Sequence, residues 1–120
     1  MKQFNKQTGN QGEEIATMYL RANGYKIIER NYHTKFGELD IICQKADVII
    51  FVEVKTKTNL DYGVPEMMIN QHKLNQIRQT GEVYVLSHNL NNSPCRIDII
   101  TIVLSENQVI PQINHHQNVY

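Results

Sequence analysis

Apolar residues first recur at helical spacing between about Asn10 and Asn23. Ile15, Ala16, Tyr19, Leu20 and Ala22 fall on one side of that segment, and Gly24 supplies a C-terminal stop. Tyr25 to Tyr32 then reads as a strand, broken over 33–37. Two strongly apolar strands follow, Leu39 to Cys43 and Val48 to Val54. The polar link Gln44-Lys45-Ala46-Asp47 between them predicts an antiparallel hairpin. From Lys55 to Pro65 the chain is polar, with Asn59, Asp61, Gly63 and Pro65 as loop signals. Pro65 and Glu66 suit the first turn of a helix, and Leu74, Ile77, Gly81 and Tyr84 carry one face of it into 83–86. After a loop over 87–94, the alternating, β-branched run Arg96 to Val103 is a strand. Val109 to Ile113 reads as a short edge strand, because Pro111 does not fit a central one. Helix, three strands, helix, one or two strands: this order predicts an α/β or α+β fold with a mixed sheet.

A chain of 120 residues makes one small domain. The expected domain is 10–113, with amide-rich, polar tails at 1–9 and 114–120. Hydrophobic residues at 41% and charged residues at 20% are ordinary for a folded domain and exclude an intrinsically disordered chain. The charge balance constrains function more. Twelve basic and twelve acidic side chains cancel, so a surface for a polyanion must come from charges segregated to one face or from a bound cation. Two cysteines are too few for a disulfide scaffold, and Cys43, inside an apolar strand, reads as a small buried thiol. No apolar run reaches the roughly 20 residues that span a bilayer, and no signal-peptide core follows Met1 to Lys6. The expectation is a soluble cytoplasmic domain with no membrane partner.

The third strand carries the informative anomaly. Ile49, Phe51, Glu53 and Lys55 share one face while Ile50, Val52 and Val54 share the other, the mark of a central strand covered on both sides. Ionised side chains there cost several kcal/mol each unless paired or metal-bound. A Glu–Lys pair where the sheet opens to water is the plain alternative. Asp40 tips the balance, because Asp is poor strand material and the hairpin register brings it level with Glu53. Two carboxylates about 4 Å apart repel by roughly 4 kcal/mol at an effective dielectric near 20. Mg²⁺, which takes one or two carboxylates plus waters and phosphate oxygens, would turn that liability into a site. Glu13 is a third acid on the packing side of the first helix; equally, it suits a first-turn carboxylate at the helix dipole. Glu14 is more exposed by position, and Glu38 is a looser candidate on the same face as Asp40.

These residues resemble a known pattern. Asp40 followed by Glu53-Val54-Lys55 is similar to the bipartite signature of the PD-(D/E)xK nuclease superfamily. The strings Gly12-Glu13-Glu14-Ile15-Ala16, Gly37-Glu38-Leu39-Asp40-Ile41-Ile42 and Phe51-Val52-Glu53-Val54-Lys55-Thr56-Lys57 more narrowly resemble the bacterial YraN family, endonuclease-like proteins related to Holliday-junction resolvases. Asn31, Gly63, Pro65, Glu66, Lys73 and Arg96-Ile97-Asp98 also fit that pattern, over roughly residues 9–103.

The resemblance implies a restriction-endonuclease-like α/β core of order αβββαβ, its mixed sheet flanked by helices. It also implies hydrolysis of DNA phosphodiesters, on branched or junction DNA, with Mg²⁺ or Mn²⁺ as cofactor. Asp40, Glu53 and the Val54 carbonyl would hold the metal, Lys55 would orient the attacking water, and Glu13 would match a first-helix acid of resolvase-like members. DNA is the implied partner, with a homodimer as a further expectation. A fold that binds nucleic acid or another partner without cutting is the alternative. Leu39 stands where the superfamily name expects Pro, and Lys57 where the narrower family has Arg, which removes a bidentate fork from that phosphate contact.

The remaining polar features are thinner. Lys26, Arg30, His33 and Lys35 form a mild basic cluster able to hold a DNA backbone, and Lys57 and Lys73 are further phosphate contacts or simply solvated lysines. Arg96 and Asp98, two apart on one strand face, read as a structural ion pair. His115 and His116 fall in the polar tail without a spacing that aims both rings at one metal.

Overall fold

The computed structural model describes residues 2–58, 70–105 and 109–120, with side chains from residue 9 onward. Helix α1 spans Lys2–Ala22; strands β1 (Lys26–Thr34), β2 (Gly37–Lys45) and β3 (Val48–Lys57) follow as an antiparallel meander. Helix α2 (Gln71–Ser87) crosses over to β4 (Cys95–Val103), which lies parallel to β3, and β5 (Gln112–His116) closes the edge antiparallel to β4. The sheet order is β1-β2-β3-β4-β5. This is the mixed-sheet αβββαβ core expected of a restriction-endonuclease-like fold, with one added edge strand.

Alternation of the apolar residues builds two cores, one on each face of the sheet. Ile41, Cys43, Ile50, Val52, Ile100 and Ile102 pack with Ala16 and Leu20 of α1. Ile42, Ile49, Phe51 and Ile97 pack with Ile77 and Tyr84 of α2. The double coverage explains why β3 and β4 read as nearly continuous apolar runs. Cys43 is fully buried and its thiol is pushed up to about 12 by burial, so it is an inert core group as expected.

Within β2 the alternation fails at Asp40. Leu39 belongs to the α2-side core and Ile41, two residues on, to the α1-side core. Asp40 lies level with Asn31 of β1, between the pairs Arg30–Ile41 and Tyr32–Leu39, and Asn31 has a left-handed φ of 55°. Asn tolerates that conformation because its short amide bonds locally. The break turns the Asp40 side chain toward the gap between β2 and β3.

Two helix contacts depend on having no Cβ. At Gly12 a Cβ would overlap the Thr56 side chain, with Thr56 Cβ only 2.9 Å away; at Gly81 it would lie 2.7 Å from the Phe51 ring. Gly12 therefore lets α1 sit down on β3, one residue before Glu13. Gly12→Ala should cost about 1–3 kcal/mol, the usual penalty for overpacking, as α1 lifts from the sheet. Urea unfolding measures it; an unchanged midpoint would mean that Thr56 simply moves aside.

Several boundaries differ from the sequence reading. The helical backbone continues to Lys2, beyond the start near Asn10 expected from the periodicity; that stretch has no apolar stripe and so leaves no periodic signal. Residues 114–116 belong to β5, displaced from the expected 109–113, and beyond it the Val119 N–H donates to the Ile97 carbonyl at 2.9 Å. Here tertiary pairing outweighs polar composition: Ile113 pairs with Ile102 and His115 with Ile100. Helix α2 begins at Gln71, capped by Asn70, whose Oδ1 accepts the Lys73 N–H at 2.9 Å. The start expected at Pro65 and Glu66 lies outside the described residues.

Candidate metal centre

The β2–β3 ladder runs to the pair Ile41–Val52; continued one rung, it would match Asp40 with Glu53. Instead Asp40 Oδ2 accepts the Val54 N–H at 2.8 Å, so the aspartate side chain stands in for the missing strand partner. Glu53 is 4% exposed, with the Asp40 carboxyl beside it. Its carboxyl is pushed up to about 8, first by burial and then by Asp40, against the pull of Lys73 and Lys55. Lys55 Nζ lies 4.0 Å from Glu53 Oε2, and Lys73 Nζ, from the first turn of α2, lies 3.4 Å from the same oxygen.

Glu13 arrives from the α1 side. Burial, followed by the charge of Asp40, pushes its carboxyl up to about 7, with Arg30 opposing and Glu38 adding to the rise. Oriented with its amide nitrogen toward the acids, Asn31 donates to Glu13 Oε1 at 3.2 Å and to Glu38 Oε1 at 3.1 Å. Asp40 is thus the centre of the group, its charge acting on both Glu53 and Glu13. Among the described residues no three His, Cys, Asp or Glu side chains form a ready-made metal cage. The donor set nevertheless fits a hard cation with few protein ligands: two neighbouring carboxylates and backbone oxygen suit Mg²⁺ or Mn²⁺ and offer no soft sulfur or imidazole.

The other expected residues are placed as follows. Arg30 is engaged by α1, its guanidinium 3.0 Å from Glu14 Oε2 and 4.0 Å from Glu13 Oε1. Lys35 sits in the β1–β2 turn with its ammonium over the Phe36 ring, 5.3 Å from the centroid. Lys57 ends β3, where its carbonyl accepts the Leu104 N–H at 2.7 Å. Sequence reasoning missed the parts played by Gly12 and Asn31, although a Gly before an acidic pair and an Asn inside a strand were both visible. It also missed that Lys73 reaches the acids, a contact that only the packing of α2 creates.

A family model described as "Uncharacterised protein family UPF0102" matches residues 12–102. The chain belongs to the UPF0102 family. A UPF0102 protein of Dictyoglomus turgidum is 44% identical over 101 residues, covering 84% of this chain and 86% of its own length. One from Clostridioides difficile is 41% identical, covering 97% of this chain and 98% of its own. One from Caldanaerobacter subterraneus is 40% identical and covers both chains in full. The span matched by the UPF0102 model contains Glu13, Asp40, Glu53, Lys55 and Lys73, and ends before β5.

What β5 adds to this UPF0102 chain is a buried polar network on the α1 side of the sheet. Asp98, fully buried, accepts from Arg96 Nε at 3.0 Å and from the Asn118 N–H at 3.0 Å, and lies 2.7 Å from His115 Nε2. Arg96 also donates to Tyr25 Oη at 3.0 Å, and His115 Nδ1 meets Tyr19 Oη at 3.0 Å. The ion pair expected for Arg96 and Asp98 is present. His115 is a buried partner of that pair rather than part of a polar tail. Among the described residues no helix is long and apolar enough to cross a membrane.

The raised acids give the metal-free protein a defined pH response. Below the ordinary carboxylate value of 4.5, Glu13 and Glu53 are protonated in both folded and unfolded chains. Above it the unfolded chain loses protons that the folded chain keeps, so stability falls with rising pH until about 8, where Glu53 ionises. The melting temperature should drop by on the order of 5 °C between about pH 5 and pH 8, and Glu53→Gln should flatten the decline. Calorimetric scans without metal across that window check it; a flat or rising wild-type curve contradicts it.

Proposed function

We propose that this UPF0102 protein is a Mg²⁺-dependent endonuclease that hydrolyses DNA phosphodiesters, branched or junction DNA among its substrates. The observation that carries the reading is the juxtaposition of Asp40 and Glu53 in the opening between β2 and β3, with two ammonium groups beside them. Setting a half-buried aspartate beside a buried glutamate is costly unless a cation joins them. Asp40, Glu53 and the Val54 carbonyl would hold the ion. Bound there, it would lower the pKa of a water and neutralise charge on the phosphate.

The protein's own groups do the rest. Lys55, anchored on the rigid β3 next to Glu53, orients the nucleophilic water and stabilises charge developing on the phosphate oxygens. Glu13 adds negative charge on the α1 side and is held in place by Asn31 and Arg30. The DNA backbone is steered by Lys35, Lys57 and Lys73, with Arg30 contributing charge from its pair with α1. Net charge of zero makes this steering local, consistent with a site that depends on a cation. Symmetric cutting of a four-way junction would require two copies of the chain.

The test is incubation of purified protein with linear, nicked and four-way DNA, with Mg²⁺, Mn²⁺ or chelator. Metal-dependent cuts that include the branched substrate, lost in Lys55→Ala, support the reading. Binding without cleavage under every metal condition would leave a nucleic-acid-binding module in place of an enzyme.

A further inference from the structure

We infer that Lys73 is a positioning residue, the resident counter-cation of the acid pair, which occupies Glu53 until a divalent metal displaces it. The inference rests on the metal reading above and extends it to a residue that the sequence assigns only to phosphate contact. Lys73 Nζ is 3.4 Å from Glu53 Oε2, nearer than Lys55 Nζ at 4.0 Å, so two ammonium groups converge on a single oxygen. Glu53 itself has little freedom to turn away, its side chain being only 5% exposed.

The two lysines are held differently. Lys55 stands on β3, where its backbone pairs with Thr101 of β4. The backbone of Lys73 is fixed by the Asn70 cap, and its side chain is about one-third exposed, so its ammonium can swing outward while its stem stays in place. A divalent ion seated on Glu53 repels an ammonium at contact distance. Metal and Lys73 therefore compete for one carboxylate. Once displaced, the ammonium stands at the mouth of the same site, where an incoming phosphate would meet it. Metal binding and phosphate binding are thereby coupled through one side chain.

Titration calorimetry with Mn²⁺ alone tests this on the wild type, Lys73→Gln, Lys73→Arg and Asp40→Asn. Lys73→Gln should bind Mn²⁺ roughly tenfold more tightly, within the ordinary range for two coupled ligands, while Lys73→Arg stays near the wild type. Without metal, Lys73→Gln should melt below the wild type, and saturating Mn²⁺ should erase the difference. Unchanged or weaker Mn²⁺ affinity in Lys73→Gln overturns the inference while leaving the metal centre standing. Absence of an Mn²⁺ signal that depends on Asp40 in the wild type overturns both.

Discussion

Asp40→Asn should abolish metal-dependent DNA cleavage, lowering the single-turnover rate by about 10³-fold or more, while leaving the protein folded. The asparagine carbonyl can still accept the Val54 N–H that Asp40 Oδ2 receives at 2.8 Å, so the strand end keeps its partner. What disappears is one negative charge and the ligand that bridges the Glu53 and Glu13 sides of the site. A loss of 10³ corresponds to about 4 kcal/mol, within the several kcal/mol that a bound metal supplies to transition-state charge. Circular dichroism and cleavage of a branched substrate, run on the same preparation, make the comparison. Wild-type rates in this variant would place the chemistry elsewhere in the molecule.

The largest effect on stability should come from Asp98→Ala. Its carboxylate is 0% exposed and serves Arg96, His115 and the Asn118 N–H together. Burial alone would raise its pKa, but the bonds from His115, Arg96 and Asn118 outweigh that and hold the carboxyl below the usual aspartate range. Removing it strands a half-buried guanidinium and the His115 ring and unties β5, at a cost of about 3–5 kcal/mol. Against a total stability of ~5–15 kcal/mol, the melting temperature should fall by roughly 10–20 °C. Because the folded-state value is depressed, this contribution is present above the ordinary aspartate value of 3.8 and lost as pH drops through the folded-state one. Asp98→Ala should accordingly show a shallower acid limb than the wild type in thermal scans at falling pH. A variant that melts within 2 °C or so of the wild type would mean that the network contributes little.

Much of this architecture was legible because β3 and β4 are apolar on both faces and the hairpin link at 44–47 is short. Those two facts fix a central strand pair and the register that brings Asp40 level with Glu53. The acid pair and Lys55 could be read for the same reason: they are charges where burial forbids them. Lys73 looked like any surface lysine, since its role depends on how α2 lies across the sheet. His115 was misread more instructively. A histidine among Asn, His and Gln has the composition of a tail, and only the carboxylate waiting on β4 makes its burial favourable. The kink at Asn31 and the contact at Gly12 are local backbone facts with no periodic signature.

The strand order has a kinetic consequence. Helix α1 and the β1-β2-β3 meander are neighbours in sequence, so their pairing closes only short loops, whereas the parallel β3–β4 pairing must wait for the α2 crossover. During refolding, Glu13, Asp40 and Glu53 should therefore gather before the second lysine reaches them.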